Sequence, residues 1–341
     1  MSASKASLKS ATDRCVKCAL CLPVCPTFRL TREEAHSPRG RIAIIQGLAE
    51  GTLSAADTLP YLDPCLACRA CEKVCPANVP YGTVLDQGRA LLRDAGAGPS
   101  TGARLAARAL DSPRLLRVGA LAARVWRKLG LSRYVGGGLA RLISMPSGDN
   151  YARTAPHYPQ ADARGVVALL GGCVTSAFDG AVNVSLARLL NRVGYSVEVV
   201  AGCCGALLQH QGNLQAARTV ADRLVSRLDT GRYTAIVHPA TGCAAAVRDY
   251  AELLGTPASE RIADGLVDAS TFLLRAGLGE ALAGVAEETT TIALHSPCTQ
   301  RNVTGGDKAT ATLLDHIPGV SVMHLPGEGC CGAAGSRMLS N

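Results

Sequence analysis

Aromatic residues are scarce. They make up 4% of 341 residues, with one tryptophan, Trp126, and three phenylalanines. Leucine, valine and alanine must therefore build the core, and a hydrophobic content of 48% is enough to do so. No run of about 18 apolar residues occurs, so no membrane-spanning helix is expected. The N-terminus, "MSASKASLKSATDR", is polar and lacks the apolar stretch of a secretion signal. No G-x-G-x-x-G opens a helix after a strand, so the common nicotinamide and flavin fingerprint is missing. The chain carries a net charge of +8, spread unevenly. Its basic part has no interleaved aromatics and no known nucleic-acid module, which argues against nucleic-acid binding.

What the chain does have is cysteine, fifteen in all. Without a secretion signal it is expected in the cytoplasm, where disulfides are disfavoured, and the odd count fits pairing poorly. Metal is the better reading. The first run, "CVKCALCLPVCP", places Cys15, Cys18, Cys21 and Cys25 before Pro26. The second, "CLACRACEKVCP", places Cys65, Cys68, Cys71 and Cys75 before Pro76. Both read C-x2-C-x2-C-x3-C-P, the bacterial ferredoxin run for a 4Fe–4S cube. Three close thiolates wrap three corners of one cube, and the fourth, lying too far along, ligates the other cluster. This spacing predicts Cys15, Cys18, Cys21 and Cys75 around cluster 1, and Cys65, Cys68, Cys71 and Cys25 around cluster 2. Structural zinc sites use pairs of C-x2-C instead.

The insert between the runs contains "SPRGRIAIIQGLAEG". Ile42, Ile44, Ile45 and Leu48 suit a short buried helix stopped by Gly51. "YGTVLDQGRALLRDAG" after the second run also reads as helix. A helical ferredoxin domain follows, similar to the cluster domains of succinate dehydrogenase iron–sulfur subunits. Arg39 and Arg41 have two readings: a place near a cluster, raising its potential, or a solvated helix start with salt bridges.

From Ala95 to Tyr158 the texture is basic and free of cysteine, with apolar residues at helical spacing and a hinge-like Gly136–Gly138. Such a stretch suits a linker, a partner surface or an anionic membrane.

Beyond it, "GVVALLGG", "YSVEVV" and "YTAIVHPA" read as strands, with "GAVNVSLARLLNRVG" as a helix between the first two. This rhythm implies a parallel α/β layer. An internal repeat is also visible. Each unit runs strand, cysteine, helix, strand, CCG. The first offers Cys173, Cys203, Cys204 and then Cys243 as a third cluster site; the second offers Cys298, Cys330 and Cys331. Adjacent cysteines, with Cα atoms about 3.8 Å apart, suit two ligands of a multi-iron cluster better than a disulfide. Gly205 and Gly332 let the backbone approach an inorganic core. These sites and the ferredoxin runs account for every cysteine.

The expected architecture is α+α/β: a helical di-cluster ferredoxin domain over 1–95, basic linker or docking helices over 96–160, and an α/β domain of two CCG repeats over 161–341. The second repeat reads as incomplete, since a counterpart of Cys243 would lie past the last residue. His295 and His324 are further ligand candidates there, although a surface or structural role is the simpler reading.

The two ferredoxin runs, "SPRGR" between them, and then "GCCGALLQH", "HSPCT" and "CCGAAG" resemble the family of glycolate oxidase iron–sulfur subunits over nearly the whole chain. Relatives of that family include the iron–sulfur subunit of anaerobic glycerol-3-phosphate dehydrogenase and the CCG subunits of heterodisulfide reductase. The resemblance implies an electron carrier that is not catalytic alone. A partner flavoprotein carrying FAD oxidises the 2-hydroxy acid, and single electrons pass towards a quinone or other acceptor, with peripheral contact at the inner face of the membrane. The heterodisulfide pattern has C-x2-C after its CCG. Here the first of those positions is Ala240, which counts against a non-cubane cluster and disulfide chemistry.

Overall fold

The computed structural model describes residues 2–98, 102, 104, 112–130, 153–285 and 289–325. Gly136–Gly138, Cys330, Cys331 and Gly332 lie outside them. The described residues form two compact units. One takes the N-terminal residues up to 104 together with Ala206–Ala217; the other takes 112–205 and 218–325.

The regular elements of the N-terminal part are helices: α1 (Ser2–Asp13), α2 (Pro26–Thr31), α3 (Pro38–Glu50), α4 (Ala55–Leu62), α5 (Ala70–Lys73) and α6 (Tyr81–Asp94). Local chemistry sets their ends. Ser37 caps α3 by accepting from the Gly40 N–H at 2.9 Å, Pro38 takes the first turn, and Gly51 ends the helix at φ +80°. Ser54 and Asp57 form a capping box on α4. Ile42, Ile45, Leu62, Val84, Leu85 and Leu92 meet in one core with Leu48 packed against it, while Ile44, also expected on the buried face of the helix, is only half-buried. Gly88 permits the crossing of α3 and α6, because a Cβ there would lie 2.7 Å from Ile45 Cγ1.

The second unit begins with α7 (Pro113–Lys128). Its main sheet holds β1 (His157–Tyr158), β2 (Val166–Leu170), β3 (Ser196–Val200), β4 (Tyr233–His238) and β5 (Leu266–Asp268), in the order β1-β3-β2-β4-β5. Only β1 is antiparallel. Between β2 and β3 run α8 (Cys173–Phe178) and α9 (Gly180–Arg192); between β3 and β4 the chain passes through α10 (Ala206–His210) and α11 (Leu214–Leu228). Then come α12 (Thr241–Arg248), α13 (Tyr250–Leu254), α14 (Pro257–Asp264), α15 (Ala269–Arg275) and α16 (Leu278–Leu282). A two-stranded parallel sheet of β6 (Thr290–Leu294) and β7 (Val320–His324), joined through α17 (Asp307–Asp315), repeats the strand–helix–strand plan. The mixed content and the parallel pairing agree with the expected architecture.

Val167, Leu169, Leu190, Val197 and Val237 fill the core of the main sheet, and Tyr195 and Phe272 meet edge to face at 5.1 Å. The core is aliphatic, as the scarcity of aromatics requires. Among the described residues, no helix is long and apolar enough to cross a membrane.

Candidate metal centres

The two ferredoxin runs fold alike, residue for residue. Lys17 and Ala19 take positive φ of 56° and 71°; the matching Ala67 and Arg69 take 49° and 57°. Such angles cost a non-glycine residue about 1–3 kcal/mol each and collect at functional sites. The hydrogen bonds match as well. Cys15, Leu22 and Cys25 donate to Thr12, Ala19 and Leu22; Cys65, Glu72 and Cys75 donate to Leu62, Arg69 and Glu72. Turns with left-handed residues make concave nests of backbone N–H groups that suit anions and iron–sulfur sites. Nothing in the residue types V-K-C-A-L or L-A-C-R-A announces these angles.

Two cavities are lined by the eight thiols. Cys15, Cys18, Cys21 and Cys75 border one, together with Val16, Leu20, Ile42 and Val79. Cys25, Cys65 and Cys68 border the other, with Leu66 and Tyr81, and Cys71 reaches both. Among the described residues, no three His, Cys, Asp or Glu side chains gather as a single metal ion requires. Thiols spread around a cavity suit a polynuclear group. This donor set fits iron–sulfur chemistry.

Hydroxyl groups stand beside two of the thiols. Thr27 Oγ1 is 3.2 Å from Cys25 Sγ, and the Tyr81 hydroxyl is 3.5 Å from Cys65 Sγ. Burial pushes the Tyr81 phenol well above its usual range, so it stays a neutral donor. Burial also pushes the Cys71 thiol up, helped by the neighbouring Cys65 and by Glu72, and raises Cys21. Metal binding must displace those protons.

The "SPRGR" segment is explained position by position. Ser37 and Pro38 start α3. A Cβ at Gly40 would strike the Glu34 carbonyl. Arg39 pairs with Glu34 at 2.5 Å in a partly exposed bridge and also donates to the Lys17 carbonyl at 2.8 Å. Arg41 is fully buried and borders the cavity of Cys25, Cys65 and Cys68. Arg39 borders the cavity of Cys15, Cys18, Cys21 and Cys75 as well, so both arginines lie near a candidate cluster site, and Arg39 has the salt bridge in addition.

In the second unit the CCG cysteines follow neighbouring strands. Cys173 opens α8 after β2, Cys203 and Cys204 follow β3, and Cys243 lies in the first turn of α12 after β4. These strands are adjacent and parallel, so the thiols share the carboxyl edge of the sheet, where α/β folds bind ligands. Gly205 turns at φ +76°, and its N–H donates to Cys203 Sγ at 3.4 Å. A Cβ on Gly172 would sit 4.0 Å from Cys243 Sγ. A hydrogen bond to Cys203, with burial, pushes the Cys173 thiol up. Tyr250, buried beneath this group, donates to the Cys204 carbonyl at 2.9 Å; sequence reading missed it, since "RDY" carries no signal. Cys298 follows β6, and its neighbour Thr299 bonds to Thr241 at the start of α12, Oγ1 to Oγ1 at 2.7 Å. That brings the loop of the second repeat against the helix of Cys243. His295 and His324 are exposed.

The family described as "4Fe-4S dicluster domain" matches residues 11–79, and the one described as "Cysteine-rich domain" matches 167–248 and 292–341. The glycolate oxidase iron-sulfur subunit of Escherichia coli (strain K12) is 30% identical, over 96% of this chain and 80% of the relative. The probable glycolate oxidase iron-sulfur subunit of Bacillus subtilis (strain 168) is 28% identical, over 94% and 78%. One subunit of the dihydromethanophenazine:CoB–CoM heterodisulfide reductase of Methanosarcina barkeri (strain Fusaro / DSM 804) is 23% identical, over 95% and 78%. No solved structure matches. With its paired thiol-lined cavities, its CCG edge and these likenesses along almost all of its length, the chain belongs to the family of glycolate oxidase iron–sulfur subunits.

Proposed function

We propose that this chain is the electron-transfer subunit of a flavin-dependent glycolate, or related 2-hydroxyacid, dehydrogenase complex. The observation that carries the reading is the pair of matched cavities, each bordered by three cysteines of one run and the last cysteine of the other. Cys15, Cys18, Cys21 and Cys75 hold one 4Fe–4S cluster, and Cys65, Cys68, Cys71 and Cys25 hold the second. Cys173, Cys203, Cys204 and Cys243 hold a third at the sheet edge, while Cys298, Cys330 and Cys331 offer an incomplete set of ligands. When bound, such clusters accept and release electrons singly. The chain's own residues orient the thiolates, and Tyr81 donates a hydrogen bond to the Cys65 sulfur. The FAD sits on a partner flavoprotein, because hydroxy-acid oxidation needs a hydride acceptor and this sequence has no flavin fingerprint.

The complex works in the cytoplasm, peripheral to the membrane, and hands electrons to a quinone or other acceptor. The membrane contact is α7. Leu115, Val118, Leu121 and Val125 are exposed along it, and residues 113–128 carry five Arg or Lys and no acid, the make-up of an interfacial helix on anionic lipid. The functional division follows 1–95, 96–160 and 161–341.

Iron and acid-labile sulfide per chain, with EPR of the anaerobically purified and reduced protein, test this reading. About twelve irons fit three cubes and about eight fit only the ferredoxin pair; zinc without iron sinks it. Reduction of a thiol-disulfide substrate by the isolated chain would instead favour the heterodisulfide relationship, against which Ala240 stands.

A further inference from the structure

Arg39 and Arg41 lie two residues apart, and the fold treats them in opposite ways. Arg39 borders the cavity of Cys15, Cys18, Cys21 and Cys75, but it is partly exposed and its charge is matched by Glu34. Arg41 is 0% exposed. Its Nε donates to the Tyr61 carbonyl at 2.6 Å and its Nη1 to Thr27 Oγ1 at 3.0 Å, and the same Thr27 oxygen touches Cys25 Sγ. Among the described residues its buried Nη2 finds no acceptor. Arg41 borders the cavity of Cys25, Cys65, Cys68 and Cys71, and among the described residues no carboxylate lines that cavity. The other arginine there, Arg69, is paired with Glu72 at 2.6 Å. A buried guanidinium without a counter-charge is costly unless an anionic group stands beside it.

We propose that Arg41 tunes the cluster held by Cys25, Cys65, Cys68 and Cys71, making it the higher-potential member of the ferredoxin pair. The inference rests on the ligand sets proposed above. Reduction adds one electron, and so one negative charge, to a cluster. A cation fixed in a low-dielectric site stabilises that reduced form. Near the twin cluster, Arg39 is neutralised by Glu34 and screened by water, so the two environments differ although their loops match. Electrons shared by the pair then rest on the Arg41 side.

The test is an anaerobic redox titration followed by EPR on the holoprotein, with iron and sulfide counted first so that failure of the cluster reading shows separately. In the wild type, two ferredoxin waves are expected at distinct potentials. Cys68→Ser should displace or abolish the upper wave, and Cys18→Ser the lower. In Arg41→Gln the upper wave should fall towards the lower, Arg41→Lys should restore most of the separation, and Arg39→Gln should leave the upper wave in place. A single unresolved wave in the iron-loaded wild type overturns the proposal, as does Cys68→Ser acting on the lower wave; neither result depends on an Arg41 variant folding. Full iron with an unmoved upper wave in Arg41→Gln overturns it too.

Discussion

The hydroxyl of Tyr250 reaches up from α13 to the carbonyl of Cys204, at 2.9 Å and wholly within the protein. It ties the first CCG turn to the helices packed below the sheet edge. Tyr250→Phe keeps the ring and removes this donor. A loss of about 1 kcal/mol is expected. Urea unfolding followed by the fluorescence of Trp126, the only tryptophan, would read it; unchanged stability would show that the contact carries nothing.

The Tyr81 hydroxyl stands 3.5 Å from Cys65 Sγ. Hydrogen bonds to sulfur raise cluster potentials. In Tyr81→Phe, iron content should stay near that of the wild type while one EPR-detected wave moves to lower potential. If that wave stays where it is, the hydroxyl does not act on the cluster.

Cys243 is the one CCG-edge ligand candidate that comes from β4 and α12. Cys243→Ala should cost about four irons per chain, one cube, and leave the ferredoxin signals intact. Loss of no iron would mean that the sheet edge holds no cluster.

Gly212 sits at φ +70°, and a Cβ there would strike the Arg89 carbonyl on α6. Gly212→Ala combines left-handed strain with overpacking, so a cost of about 2 kcal/mol or more is expected. Proteolysis of the 206–217 segment should speed up as α10 loosens from α6; a protease map identical to that of the wild type would refute this.

His238 ends β4 in the core, and among the described residues neither ring nitrogen has a partner. Burial, aided by Arg248, lowers its pKa to about 4. Unfolding restores the ordinary value near 6.5. The unfolded chain therefore binds the proton first, and stability falls as pH drops from about 6.5 towards 4. Between pH 7 and pH 5 this residue alone should cost about 2 kcal/mol. His238→Asn should flatten the pH dependence by that amount relative to the wild type; equal slopes would reject the assignment.

The sequence by itself determined the chemistry and most of the elements. Cysteine spacing is a local property, so the two runs could be matched to a cube and its neighbour before any fold was known. The strand–helix alternation and the caps at Ser37 and Gly51 are local too, and α3, α6 and the parallel strands fall where the pattern puts them. Tertiary structure decided what depends on distant partners. It buried Arg41 wholly beside one set of thiols and left Arg39 half-exposed beside the other, paired with Glu34, though both lie on one helix of the same motif. It gave Lys17, Ala19, Ala67 and Arg69 a backbone that their side chains do not favour. It placed Ala206–Ala217 in the ferredoxin unit, set Tyr250 under Cys204, and brought the loop of Cys298 to Thr241. None of these follows from residue type, because each is set by the packing of segments far apart in the chain.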